Sequence, residues 1–281
     1  MTDEQQFWLV NALFDHKYSI DETALALGVP ESTVETLRTW PAPKTARWAP
    51  GPGVKVLPYP GGRHPRIGFL EGAINPERGT KASVFAPWDQ HAYAVVDVPE
   101  AIFSNLGLLY LAHTHVPTIW SEKGVTIPPV DWTRNVDGSM EHQRILPNGV
   151  AFGARIAPRP DGADMEMWLR NGTPEPLTGL RTQVCVMLKG VAGFNGQTND
   201  NKVFDAPVAY TKADGAERYA LTAWDHCTRV WGNQKCPCMH SDPTFPDCAP
   251  GETVRVRGRI VFVDGAGVEG VVRELKAEFG G

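Results

Sequence analysis

The stretch Thr253-Val254-Arg255-Val256-Arg257-Gly258-Arg259-Ile260-Val261-Phe262-Val263 alternates polar and apolar residues over most of its length. Successive side chains of a strand point to opposite faces, so a period of two reads as a β-strand with Arg255, Arg257 and Arg259 on one side. Short apolar or alternating runs recur at residues 94–98, 108–116, 151–156, 165–169, 180–188 and 218–224, separated by Gly, Pro, Asn and Asp turns. Apart from a short turn at 99–104, residues 63–275 contain no convincing long helix, which disfavours alternating strand–helix folds. Roughly ten strands in this space predict a mainly β domain, a two-sheet antiparallel sandwich or jelly roll.

Upstream of this region the pattern changes. In residues 1–40, Phe7, Val10, Leu13 and Phe14 keep helical spacing, a second apolar-periodic stretch runs from Asp21 to Leu27 and stops at Gly28, and Ser32 can cap a third through Leu37. The pattern Ile20-x-Glu22-x-Ala24-x-x-Leu27-Gly28-Val29-x-x-x-Thr33-Val34-x-x-Leu37 resembles the helix-turn-helix family. That resemblance implies an alanine where the helices cross, a glycine turn, and Val34 and Leu37 anchoring the second helix. Between 41 and 62, prolines 41, 43, 50, 52, 58 and 60 oppose regular helix and predict an extended linker. The expected units are therefore helices at 1–40, a Pro-rich linker at 41–62 and a β-domain at 63–281.

Charge separates the same pieces. The net charge is −5. Residues Asp3, Glu4, Asp15, Asp21, Glu22, Glu31 and Glu35 face only Lys17 and Arg38, so the head carries the whole imbalance and the remainder is neutral. Phosphate contacts need basic donors, so nucleic acid is not an expected partner. The acidic unit should instead dock on its own β-domain, a second subunit or a partner protein. No apolar run reaches about 18 residues, so no membrane span is expected. With no leader-like segment after Met1, the expectation is a cytoplasmic protein, and homo-oligomerisation stays open. Five cysteines, an odd number, argue against a full disulfide framework.

Two segments suggest metal chemistry. In Leu111-Ala112-His113-Thr114-His115-Val116, residues two apart on a strand would aim both imidazoles one way. The spacing Gly107-x5-His113-x-His115 resembles the opening of the cupin metal motif. That family implies a following glutamate, and here Glu122 arrives late and the second cupin motif is missing. His142 and His240 are candidate further ligands, with His64, His91 and Glu141 as others. The open alternative is a pair of histidines bonded to backbone carbonyls. The second segment is Cys227, Cys236-x-Cys238-x-His240 and Cys248, in a Pro- and Gly-rich stretch read as a long loop. Thiolates and imidazole at this density can hold zinc, form a redox pair, or be buried free thiols. A divalent metal (Zn, Cu, Fe or Mn) is the expected cofactor, and no nucleotide cofactor is expected.

Other residues suggest sugar. In Asp164-Met165-Glu166-Met167-Trp168-Leu169, carboxylates and an indole share a face opposite Met and Leu, as in clefts where sugar rings stack on aromatics and hydroxyls bond carboxylates. The alternative is an outer sheet face with cross-strand ion pairs. Residues 164–202 loosely resemble galactose-mutarotase-like carbohydrate-active proteins in strand and turn style, which implies a concave sugar site without assigning residues. Together these readings predict a carbohydrate-directed enzyme with His113, His115, His142 and His240 as metal ligands. Glu122, Glu141 and Glu166 are its acid/base candidates, and Trp120, Asp164, Trp168 and Arg257 bind a small molecule or glycan. The alternatives are a non-catalytic carbohydrate-binding module and a ligand-sensing regulator with a helix-turn-helix head.

Overall fold

A computed structural model of the chain describes residues 2–15, 18–39, 55–60, 79–112 and 116–280. Two antiparallel sheets face each other. The first has the order β1 (Val56–Pro58), β2 (Lys81–Phe85), β3 (Tyr93–Ser104), β9 (Arg181–Met187), β14 (Cys238–Pro243) and β13 (Cys227–Trp231), with β4 (Gly107–Leu111) on the far half of β3. The second runs β10 (Lys202–Asp205), β11 (Val208–Lys212), β12 (Arg218–Trp224), β15 (Thr253–Asp264), β8 (Gly162–Arg170), β7 (Ala151–Arg159), β6 (Met140–Ile145) and β5 (Thr133–Arg134). The expected mainly β, two-sheet class is the observed one.

Alternation explains why the sheets stack. Val254, Val256, Ile260 and Phe262 of β15 enter the layer between the sheets with Met165, Met167 and Leu169 of β8 and Val96, Val98, Val184 and Val186 of the first sheet. Burying such a layer is the main favourable term in folding, at about 25 cal/mol per Å² of apolar surface removed from water.

The N-terminal helices α1 (Asp3–Val10), α2 (Ile20–Leu27) and α3 (Glu31–Thr39) form a small unit. Thr2 and Ser19 each close a capping box, and Gly28 ends α2 in the left-handed region at φ 64°, where a glycine carries no Cβ penalty. Ala24, Val34 and Leu37 share a private core with Leu9 and Val10. The unit docks on the outer face of the first sheet. Phe7 and Trp8 pack with Phe85, Tyr93, Val95 and Met187, and the Tyr93 hydroxyl donates to Asn11 Oδ1 at 2.6 Å.

Four expectations change. Part of the stretch read as linker is strand β1, paired with β2. The segment 99–104 belongs to β3, and the stretch read as one long loop after Trp231 contains β14. The C-terminal segment forms a helix, α4 (Val268–Phe279), whose Val268, Leu275 and Phe279 pack on Leu221, Ala223 and Val261 outside the second sheet.

Candidate metal centre

Register builds the site. His240 on β14 pairs with Cys185 on β9, Cys185 pairs with Asp97 on β3, Asp97 with Lys81 on β2, and Trp231 on β13 with His240. One row across five strands thus carries Lys81, Asp97, Cys185, His240 and Trp231. Cys238, two residues before His240, shares its face. The ligand atoms of Cys185, Cys238 and His240 all lie within 4.8 Å of one another, and all three residues are buried. Cys238 Sγ is 3.9 Å from His240 Nε2. A tetrahedral zinc, with bonds of about 2.3 Å to sulfur and 2.0 Å to nitrogen, holds such donors roughly 3.5 Å apart, so little closure is needed.

The same register disfavours a disulfide. Cys238 pairs with Met187 and Cys185 with His240, so the two thiols are diagonal neighbours. Diagonal positions on adjacent strands are about 7–8 Å apart, whereas a disulfide wants Cα atoms about 4.4–6.8 Å apart. All five cysteines are free thiols.

Carboxylates and an indole fix the imidazole. Asp242, again two residues along β14, has Oδ1 at 3.5 Å from His240 Nδ1, and Glu100 Oε2 is at 3.9 Å. Both separations are ion-pair contacts, longer than a well-formed hydrogen bond. Asp242 is itself held, accepting the Val184 backbone N–H at 3.0 Å and the Trp231 indole N–H at 2.6 Å. The Trp231 ring stacks on His240 at 4.0 Å, and the Arg229 guanidinium sits over Trp231 at 4.4 Å. Burial alone lowers the affinity of His240 for a proton. Asp242, Cys238 and Glu100 outweigh it and raise the pKa to about 10. Glu100 reaches the site because the β3–β9 register shifts between Asp97 and Ala101.

The cluster opens on a cavity of about 240 Å³, whose wall includes Glu100, Phe103, Gln183, Asn233, Leu111 and Val116. Of the residues expected to bind metal, His240 is here. His142 is in the core, where its Nε2–H donates to the Val98 carbonyl at 3.0 Å. His113 and His115 lie outside the described residues, as does His64. Trp120 is a core residue whose indole N–H donates to the Leu109 carbonyl at 2.7 Å. Glu122 is exposed on the short helix Ser121–Lys123. Glu141, Glu166, Asp164, Trp168 and Arg257 gather on β6, β8 and β15 of the other sheet, so the metal and sugar candidates occupy separate surfaces. Glu100 and Asp242 escaped the sequence reading, and Cys185 was not tied to the Cys238–His240 pair. They converge only through strand pairing.

No known family matches the chain, and no curated protein matches it. Among solved structures it is similar to "Putative kojibiose phosphorylase from human microbiome" at 7% identity and a TM-score of 0.39, covering 68% of this chain and 26% of that one. The chain thus spans about a quarter of that protein's length, and so slight a likeness does not bear on function.

Proposed function

We propose that the protein is a metal-dependent enzyme acting on a small polyol or saccharide, with Cys185, Cys238 and His240 holding a divalent ion, zinc being the best match to the donors. One observation carries this reading: two thiols and an imidazole converge on one face of two adjacent strands, β9 and β14, beside an open cavity. Three protein ligands with a fourth position facing a cavity is the arrangement of catalytic zinc, whereas structural zinc is closed by four. Asp242 behind His240 supplies the carboxylate–histidine contact that orients such ligands. A bound ion would polarise a substrate oxygen or lower the pKa of a water.

The chain's own residues supply the rest. Glu100, in the cavity wall and beside His240, is positioned to take or give a proton, the role for which Glu122, Glu141 and Glu166 are the candidates by sequence. Gln183 and Asn233 offer amide donors and acceptors to hydroxyl groups. The cavity is smaller than the roughly 300–1,000 Å³ of drug-sized sites, which restricts the substrate to a small molecule. His113 and His115 lie in sequence between Leu111 and Val116 of the wall, and we keep them as the proposed source of a further nitrogen donor.

Cobalt substitution tests this reading. The protein should take up one Co²⁺ with intense thiolate-to-metal charge-transfer bands and tetrahedral visible bands. The His113→Ala/His115→Ala variant should keep the thiolate bands and shift the visible ones. Absence of thiolate bands in the wild type removes the metal reading, and unchanged visible bands in the double variant remove the role of the pair.

A further inference from the structure

The outer face of the second sheet is divided by α4, and β15 marks the division. Val261 and Val263 lie under the helix with Leu275 and Phe279. Arg259, Arg257 and Arg255 continue the same face towards the other end of the strand, with Arg259 reaching Glu278 at the end of α4. The open part is crossed by two complete rows. One is Gln143, Gly153, Trp168 and Arg255; the next is Glu141, Arg155, Glu166 and Arg257.

Trp168 lies against Gly153. A Cβ on Gly153 would come within 2.7 Å of Trp168 Cζ2 and 2.8 Å of Cε2, so only glycine lets the indole rest on β7. One row further along the same face, from Glu166 and Arg257 onward, is a cavity of about 270 Å³ walled by Arg155, Arg257, Arg259, Asp164, Glu166 and Glu278. Its three guanidiniums and three carboxylates balance. Several are already paired: Arg259 with Asp164 at 2.7 Å and with Glu278 at 2.8 Å, and Arg155 with Asp137 at 2.8 Å. Such a wall gives an anion no net attraction. It does offer donors and acceptors alternately to a neutral ligand whose every group can both donate and accept. A ring with an apolar face and a rim of hydroxyls meets both demands, stacking on the indole and bonding the ladder around it.

We propose that this face, formed by Trp168 on Gly153 and the charge ladder of β6, β7, β8 and β15, binds a neutral glycan chain, with Trp168 carrying one sugar ring. The surface lies on the opposite sheet from the metal centre and is independent of it. It keeps Asp164, Trp168 and Arg257 in binding and moves Glu166 there from an acid/base role.

Native affinity electrophoresis tests this, with gels containing neutral β-glucan, xylan, galactomannan or starch, and polygalacturonate as the anionic control. The wild type should be retarded by at least one neutral polymer. Trp168→Ala should weaken that retardation at least about tenfold, equivalent to about 1.4 kcal/mol. Arg257→Ala, at a side chain 66% exposed and unable to disturb the core, should weaken it as well. Cys238→Ser should leave it unchanged. Circular dichroism confirms that each variant is folded. No retardation by any neutral polymer, retardation by polygalacturonate alone, or full retardation of folded Trp168→Ala overturns the proposal.

Discussion

Cys238→Ser is expected to lose stoichiometric metal while the two sheets stay folded. The serine hydroxyl keeps the size of the thiol but does not ionise, and zinc prefers thiolate and imidazole. Cys238 sits on the outer face of β14, in the small cluster that also holds Phe7 and Trp8 of α1 and outside the layer between the sheets that holds Met239, and serine keeps nearly its volume there. A metal that binds only the native state adds stability by mass action, about 4 kcal/mol when free metal is a thousand times Kd. Chelation should therefore lower the melting temperature of the wild type and leave that of Cys238→Ser unmoved. Asp242→Asn grades the effect. It keeps an acceptor for the Trp231 indole but removes the charge facing His240, and such supporting contacts are worth about 10–100-fold in metal affinity. Competition against a chelator of known affinity measures both. Equal melting shifts in wild type and Cys238→Ser would place the ion elsewhere.

Stability should fall by about 3 kcal/mol between pH 6.5 and pH 4 on account of His142 alone. Burial lowers the pKa of this imidazole from 6.5 to about 4, against the hydrogen bond to Val98 and with help from the nearby Arg144 charge. The folded state therefore resists protonation while the unfolded chain accepts it at 6.5. The contribution is complete above pH 6.5 and is lost as pH falls towards 4. Trp132, edge-on to the ring at 4.7 Å, shows how little room a hydrated cation would have. Urea unfolding of wild type and His142→Gln across this range isolates the term from the carboxylates common to both. A difference between the two that does not change with pH would show that His142 titrates normally.

Much of this fold is legible in the chain because alternation and helical spacing are local. β15, β8 and β12 announce themselves, and so does the Gly28 turn of the head; Ser32, expected as a helix cap, lies inside α3, and the caps that form are those of Thr2 and Ser19. α4 is obscured by Gly270 and by the β-branched Val268, Val271 and Val272, which read as strand or turn until Leu221 and Val261 provide a surface to cover. Prolines and Asn233 around Cys236-x-Cys238-x-His240 suggest a loop. As strand β14, the motif sends only Cys238 and His240 into the site, and the other thiol comes from β9, more than fifty residues earlier. Cys236 stays in the packing beneath α1, Cys227 accepts from Ser241 at 3.3 Å and Cys248 faces the Glu252 carbonyl. No spacing rule joins Cys185 to His240, because the information is in the pairing of strands distant in sequence.

The sugar candidates were legible for the opposite reason. Asp164, Glu166 and Trp168 alternate on one strand, and Arg255 and Arg257 on another, so their common face follows from period two. That this face belongs to a different sheet from His240 depends on the strand order, which the alternation does not encode.

X-ray absorption at the zinc edge, on protein loaded with one equivalent of Zn²⁺, tests the central claim most directly. The account predicts two sulfur neighbours at about 2.3 Å and one imidazole nitrogen at about 2.0–2.1 Å, completed by a light atom on the open side. A shell of oxygen and nitrogen without sulfur would contradict it.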